Sequence, residues 1–167
     1  VKAMTKAYPD KVAVSDSSLH AGLDGYKQIL DDPAVDVVLL TTSPGFRPLM
    51  LKAAVEAGKH VFAEKPACVD AVGYRSCLAT HELAEKNGTA IVTGTQYRRQ
   101  QSFIDSIRKL HAGELGRIVS MTARYCSSGI WYHKREPNMT DMEYQIHNWM
   151  HFIWLSGDQI AEQAVHN

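Results

Sequence analysis

Apolar and polar residues follow one another in blocks along the first hundred residues, and the spacing of the apolar positions switches between that of strands and that of helices. The clearest strand is residues 36–42 (DVVLLTT), a continuous run of the kind found in strands covered on both faces. Two further strands are predicted at 60–64 (HVFAE) and 89–95 (TAIVTGT), and a short one at 11–15 (KVAVS). Because helical patterns separate these segments, the sequence predicts a parallel sheet wrapped by helices.

The predicted helices between the strands have recognisable ends. A helix over 46–57 is followed by Gly58, and a helix over 70–86 is followed by Gly88, both of which are typical C-terminal signals. A shorter helix is predicted over 24–30. These segments therefore alternate with the strands in the order expected for a βαβ arrangement.

The pattern changes after residue 97. A helix is predicted over 101–112, and residues 117–125 (RIVSMTARY) alternate as in a half-buried strand of an antiparallel sheet. We therefore predict one domain over 1–97 and the start of a second over 98–167. The chain opens without methionine inside a helical pattern and stops without a cap signal, so we expect it to be a piece of a longer protein.

Composition narrows the classes of function. With 45% hydrophobic and 22% charged residues, the 167-residue chain suits a globular domain with a core. Eighteen basic residues balance eighteen acidic ones, so no bulk charge favours nucleic acid or an anionic membrane. The three cysteines fit no metal-ligand spacing, and no apolar run approaches the roughly 18 residues that span a bilayer. We expect no nucleic-acid partner, no membrane segment and no metal.

Polar residues cluster where the predicted strands end, which is where open parallel sheets bind ligands. Thr41-Thr42-Ser43-Pro44-Gly45 follows the first strand, Glu64-Lys65-Pro66 the second, and Thr95-Gln96-Tyr97-Arg98-Arg99 the third. Proline at 66 disfavours a helical conformation at Lys65, so the lysine side chain should project from the strand end. A partly desolvated lysine there can be tuned toward proton transfer, whereas a solvated Glu–Lys pair is the plainer alternative.

The run VDVVLLTTSPGFRPLMLKAAVEAGKHVFAEKPACVD resembles the core of the Gfo/Idh/MocA family of NAD(P)-dependent oxidoreductases. Gly113-Glu114-Leu115-Gly116-Arg117-Ile118 resembles the family's entrance to its second domain, and the closing segment resembles one of its subgroups. The resemblance implies an α/β fold: a partial Rossmann-type parallel sheet, followed by the beginning of an α/β (α+β) C-terminal domain. It also implies NAD or NADP as cofactor.

The resemblance assigns roles to particular residues. The family's catalytic lysine falls on Lys65 and its general acid/base histidine on His166, with Glu162 in the acidic position four residues earlier, where it could orient the imidazole. The resemblance places Thr42, Ser43, Pro44, Glu64, Lys65, Pro66 and Gln96 around the nicotinamide half of the cofactor. Candidate substrate contacts are Tyr97, Arg98, Trp131, His133 and His147.

The implied activity is hydride transfer between NAD(P) and a secondary alcohol of a sugar, polyol or related substrate, with His166 as the base and Lys65 bound to the same oxygen. An NAD-dependent glycosidase-type relative and a catalytically silent NAD-binding homologue are the alternatives. We further expect a carbohydrate-like small-molecule partner, a homo-oligomer (dimer or tetramer) and a cytoplasmic location, with periplasmic export by a twin-arginine signal as the alternative.

The chain departs from the family pattern in three ways. No Gly-x-Gly-x-x-Gly occurs in the chain, and the strand expected beside residues 36–42 is missing, so we expect the isolated chain to bind NAD(H) poorly. Gly45 also stands where related sequences tend to have histidine.

Overall fold

A computed structural model describes residues 1–126 and 128–166, apart from the side chain of Lys2. The strands in this range are β1 Val37–Leu40, β2 His60–Glu64 and β3 Ile91–Gly94. The helices are α1 Lys2–Ala7, α2 Gly25–Asp31, α3 Arg47–Glu56, α4 Ala71–Asn87, α5 Gln96–Arg99, α6 Gln101–His111, α7 Asp141–His147, α8 Ile153–Ser156 and α9 Asp158–Glu162. Turns of 3-10 helix occupy Asp16–Ser18, Pro44–Phe46, Trp149–His151 and Ala164–His166.

The three strands pair in parallel in the order β1-β2-β3. Leu40 lies opposite Ala63 between β1 and β2, and Ala63 lies opposite Thr93 between β2 and β3. All three strands therefore end at the same edge of the sheet. The predicted parallel α/β arrangement is confirmed, and it brings the three strand-end segments of the sequence to one place.

One face of the sheet forms the core, and the other does not. Leu40, Val61 and Ala63 are buried with α3 and α4 in one cluster. Side chains of successive strand residues point to opposite faces, so Leu39 lies on the other face, where it is 65% exposed. The prediction that residues 36–42 are covered on both faces is therefore wrong within the described residues, because helices pack on one face alone.

The ends of the two long helices follow from local chemistry. The side chain of Asp70 accepts a hydrogen bond from the Gly73 amide at 2.6 Å and caps the start of α4. Gly88 follows α4 in the left-handed conformation (φ 69°) that glycine adopts without steric cost. Gly58 after α3 is also left-handed, at φ 72°. The predicted helices over 46–57 and 70–86 are thus confirmed to within a residue or so at each end.

Two predicted strands are absent from the described residues. Residues 11–15 run from a turn into irregular backbone, and residues 117–125 form no ladder. Val119, in the second segment, is 81% exposed. A period-two pattern forms a strand only when a neighbouring strand supplies hydrogen-bond partners, and neither segment has one within the described chain. Both predictions are wrong for this reason.

The C-terminal helices pack against the turn that follows β1. A Cβ added to Gly45 would lie 2.5 Å from the carbonyl oxygen of Trp154 and 2.9 Å from the Cα of Leu155, so the two backbones are in close contact. The rings of Phe46 and Trp154 meet edge to face at 5.8 Å. The close approach leaves no room at position 45 for a histidine side chain, and it brings α9 toward the end of β2.

Among the helices of the described residues, none combines the length and the apolar character needed to cross a bilayer.

Candidate active site

A buried arginine that sequence reasoning did not single out joins two of the strand-end loops. Arg47 is fully buried at the start of α3 and donates one hydrogen bond to the carbonyl of Thr42, after β1, and another to the carbonyl of Pro66, after β2. Burial lowers the pKa of the guanidinium, and the charges of Glu64 and Glu162 oppose that change. Arg47 therefore holds the two loops in register at the carboxyl edge of the sheet.

Lys65 leaves the end of β2 as the sequence predicts, next to Pro66, with a cis peptide bond between the two residues. Its ammonium group donates hydrogen bonds to the side-chain carboxylate and to the main-chain carbonyl of Glu162. The two side chains are 11% and 7% exposed, so the ion pair is largely shielded from water. Lys65 is thus held by a partner 97 residues away in the sequence.

The carboxylate of Glu162 contacts Lys65, whereas the sequence predicts a contact with His166. One carboxylate oxygen accepts from Lys65, and the other accepts from the side-chain amide of Gln163. The Nδ1 atom of His166 is buried and has no hydrogen-bond partner within residues 1–126 and 128–166. Glu162 therefore positions the lysine, and the predicted contact between its carboxylate and the imidazole is not formed.

His166 lies in an aromatic pocket beside this ion pair. Its ring stacks on that of Tyr125 at 5.7 Å with 13° between the planes, and the ring of Tyr97 tilts against it at 5.9 Å. Burial lowers the pKa of His166 below its ordinary value of 6.5, and the nearby charge of Lys65 lowers it further, against the attraction of Glu162 and Glu64. The imidazole is therefore neutral at neutral pH.

A cavity of about 220 Å³ opens at the ends of β2 and β3, and both Lys65 and His166 line it. We call it the catalytic cavity. Phe62 and Val92 supply apolar surface from the face of the sheet that α3 and α4 leave uncovered. The remaining lining residues are Glu64, Thr93, Gly94, Thr95, Gln96 and Arg99.

The predicted cofactor residues divide into two groups. Glu64, Lys65 and Gln96 line the catalytic cavity. The others do not line it: Pro66 is buried and accepts from Arg47, and the Thr42 hydroxyl donates to the sulfur of Met50 at 3.4 Å. Ser43 and Pro44 belong to the turn after β1, where Pro44 is buried.

None of the five predicted substrate residues lines this cavity. Trp131 and His133 belong to an aromatic cluster with ring centroids 5.2 Å apart, and His147 meets His133 edge to face at 6.1 Å. Tyr97 stacks on Phe103 at 5.0 Å in addition to its contact with His166, and Arg98 is exposed. The structure thus brings together the predicted catalytic residues and separates most of the predicted substrate residues from them.

Sequence reasoning missed Arg47 and Tyr125. It placed Thr95 and Arg99 in the polar segment that follows the third predicted strand, but it assigned them no role. Arg47 and Tyr125 carry no local signal, because Arg47 reaches Pro66, 19 residues away, and Tyr125 stacks on His166, in a distant part of the sequence.

The chain is similar in sequence to known oxidoreductases. A model of the Gfo/Idh/MocA family, described as an oxidoreductase family with an NAD-binding Rossmann fold, matches residues 3–95. The scyllo-inositol 2-dehydrogenase (NAD(+)) of Bacillus subtilis is 29% identical over 92 residues, which are 55% of this chain and 26% of that protein. Inositol 2-dehydrogenase 1 of Saccharopolyspora erythraea is 28% identical over 138 residues, which are 83% of this chain and 40% of that protein.

A solved structure supports the fold. The myo-inositol 2-dehydrogenase of Lactobacillus plantarum superposes with a TM-score of 0.51 at 23% identity, covering 56% of this chain and 27% of that one. The chain spans 26% of the length of the Bacillus subtilis dehydrogenase and 40% of the length of the Saccharopolyspora erythraea dehydrogenase. Because the family model matches more than half of the residues, and the parallel sheet agrees with it, the chain belongs to the Gfo/Idh/MocA family of oxidoreductases with an NAD-binding Rossmann fold.

Proposed function

We propose that the intact protein is an NAD(P)-dependent oxidoreductase that transfers a hydride between the cofactor and a secondary alcohol of a sugar, polyol or related substrate. One observation carries the proposal: Lys65 and His166, a hundred residues apart in the sequence, line the same cavity at the carboxyl ends of parallel strands. Glu162 binds Lys65 there. Membership of an oxidoreductase family and similarity to inositol dehydrogenases support the same reaction class.

The residues of the catalytic cavity fit the nicotinamide end of NAD(P). Phe62 and Val92 offer apolar surface to a flat ring, and Thr95 and Gln96 can donate and accept hydrogen bonds with its carboxamide. Glycine at position 94 leaves room for the carboxylate of Glu64, because a Cβ there would lie 2.9 Å from one of its oxygens. When bound, the cofactor supplies the ring carbon that accepts or returns the hydride.

The protein's own residues would handle the hydroxyl proton. A neutral imidazole is the form that can accept a proton, and burial keeps His166 in that form. His166 lines the catalytic cavity, and no group in the described part of the chain hydrogen-bonds its buried Nδ1 atom, so no protein partner fixes which ring nitrogen carries the proton. We therefore assign His166 as the base during alcohol oxidation and as the acid in the reverse direction.

Lys65 would bind the same substrate oxygen. An ammonium group has three donors, and two of them are used by Glu162. The third can donate to the reacting oxygen and stabilise the negative charge that develops on it as the proton leaves. Glu162 acts as a positioning residue in this scheme, because it fixes the direction of the lysine.

The test is NADH formation by the intact protein with a panel of neutral polyols and sugars. Lys65→Met and His166→Asn should each lower kcat by about 10²- to 10⁴-fold, while the Kd for NADH changes by a few-fold at most. Lys52→Met and His81→Asn are matched controls on exposed positions of α3 and α4 and should leave kcat unchanged. Full activity in Lys65→Met would contradict the assignment, and absence of turnover with NAD and with NADP would contradict the proposed function.

The same assay separates the alternatives. A glycosidase-type relative would release the aglycone from a glycoside without net NADH formation, and a silent homologue would bind NADH without turning over any substrate. We also propose, from the family resemblance, a cytoplasmic homo-oligomer whose domains divide near residue 97. Light scattering, cell fractionation and limited proteolysis would test these three points.

A further inference from the structure

A second cavity, of about 400 Å³, adjoins the catalytic cavity. We call it the distal cavity. Glu162 lines it, and the carboxylate of Glu162 contacts Lys65, which lines the catalytic cavity. Tyr125 also lines it, and the ring of Tyr125 stacks on His166. The Lys65–Glu162 and Tyr125–His166 pairs therefore lie between the two cavities, so a group bound in the distal cavity lies about one side chain away from Lys65 and His166.

The lining of the distal cavity is apolar on one part and hydrogen-bonding on another. Ile130 and Met150 are apolar, whereas Asp158, Gln159 and Gln163 carry hydrogen-bonding side chains. A glutamine amide both donates and accepts, and a carboxylate accepts, so this set matches neighbouring hydroxyl groups that each do both. The volume lies within the range of small-molecule sites. A ring with hydroxyl groups on its edge and C–H surface on its face fits such a lining.

The charge of the lining argues against an anionic ligand. Asp158 and Glu162 are both in the wall, and only Glu162 is paired with a cation, Lys65. Among the described residues that line the distal cavity, none carries a positive charge. Sites for carboxylate or phosphate groups normally supply arginine or lysine. An anionic substituent in this cavity would face the carboxylate of Asp158 without a compensating charge.

We propose that the distal cavity binds the part of the substrate remote from the reacting carbon, and that Asp158 restricts the substrate to neutral polyols or sugars against their carboxylate and phosphate derivatives. The proposal rests on the function proposed above and deepens it. Two hydrogen bonds fix Asp158. Its main-chain amide donates to the hydroxyl of Ser156 at 3.1 Å, and its side-chain carboxylate accepts from the main-chain amide of Gln159 at 2.6 Å.

The experiment compares matched pairs of substrates with the intact protein and NAD: myo-inositol against an inositol monophosphate, and glucose against glucuronate. The wild type should favour the neutral member of each pair. Asp158→Asn should reduce that preference about three- to tenfold, as expected for one charge a few ångströms away in a solvated cavity, and added salt should reduce the change. Asparagine tolerates the left-handed backbone of this position (φ 69°), so the variant keeps the local fold.

A second variant tests binding through neutral groups. Gln159→Leu should raise the KM for the neutral substrate about tenfold with little change in kcat, because it removes hydrogen bonds made outside the reacting centre.

The matched control for Asp158→Asn is Glu82→Gln, since it also removes one carboxylate, from an exposed position of α4 that lies outside the distal cavity. This control should leave every substrate ratio unchanged.

The outcomes separate this inference from the proposed function. Equal use of neutral and anionic members by the wild type, or an unchanged ratio in Asp158→Asn, would overturn the inference while the oxidoreductase function stands. If no compound is oxidised, the proposed function fails, and saturation-transfer NMR on the same pairs then decides the inference. Binding of the neutral member alone, weakened by Gln159→Leu, would support it; equal binding of both members, or binding of neither, would overturn it.

Discussion

The ion pair between Lys65 and Glu162 allows a quantitative test of the structure. Glu162→Gln keeps the shape of the side chain and one oxygen that can accept from Lys65, but it removes the charge. The ammonium group would then lie in a nearly dry environment, 11% exposed, with neutral acceptors alone. The structure therefore predicts a marked loss of stability, although buried ion pairs as a class add little net stability.

The expected magnitude follows from the contacts. Removing one partner of a buried pair costs about 3–5 kcal/mol, because the other charge stays buried. Lys65 retains the main-chain carbonyl of Glu162 as an acceptor, so we expect a value near the lower end, about 3 kcal/mol, or roughly a hundredfold in the folding equilibrium. Lys65→Met should remove most of this cost in the double variant. The coupling free energy should therefore reach about 2 kcal/mol.

The assay is equilibrium unfolding of the intact protein in urea for the four members of the double-mutant cycle, with the m-value checked for constancy. The matched control is the cycle Lys52→Met with Glu56→Gln, since that pair joins the same residue types at 3.7 Å but is 56% and 54% exposed. Its coupling should stay below about 0.5 kcal/mol. A coupling between Lys65 and Glu162 no larger than that of the surface pair would refute the reasoning.

Three further predictions follow from single contacts. Arg47→Met should cost about 2–4 kcal/mol of unfolding free energy in urea, because two loop carbonyls lose their buried donor. Gly45→Ala should lower the Tm, since its Cβ would lie 2.5 Å from the backbone oxygen of Trp154. Gly129→Ala should not, because a Cβ there would meet no atom of the described residues within 4 Å beyond its two chain neighbours. The pKa of His166 is lowered in the folded state, so the contribution of this histidine to stability should be complete above pH 6.5 and should be lost as pH falls through the folded-state pKa. The value of kcat/KM should fall over the same acid range, because the protonated imidazole cannot act as the base. An apparent pKa of 6.5 or above in the pH–rate profile would contradict the assignment.

Much of the fold was predictable because its determinants are local. The apolar run at 36–42, the cap at Asp70 and the left-handed glycines at 58 and 88 depend on neighbours in the sequence, and the structure confirms the elements that they delimit. The failures at 11–15 and 117–125 have the opposite origin. A strand depends on a partner elsewhere in the chain. Alternation of apolar and polar residues therefore shows that a segment is able to form a strand, but it does not show that a partner strand is present.

The candidate site shows the same division. Lys65 was a candidate because it follows a predicted strand and precedes proline, both of which are local facts, and the family resemblance assigned it the catalytic role. Arg47 was not, because its two hydrogen bonds go to loops that come together only when β1 and β2 pair. The distal cavity was missed for a similar reason, since its lining combines residues near 125 with residues near 160.

The sequence by itself determined the alternation of strands and helices, the common edge at which the strands end, and the presence of a lysine at that edge. Only the tertiary structure decided the partner of Glu162. Residues four apart share a face only along one continuous helix, and α9 ends at Glu162, so the chain reaches His166 through a separate 3-10 turn. The carboxylate consequently meets Lys65, and the imidazole is left to the aromatic rings of Tyr97 and Tyr125.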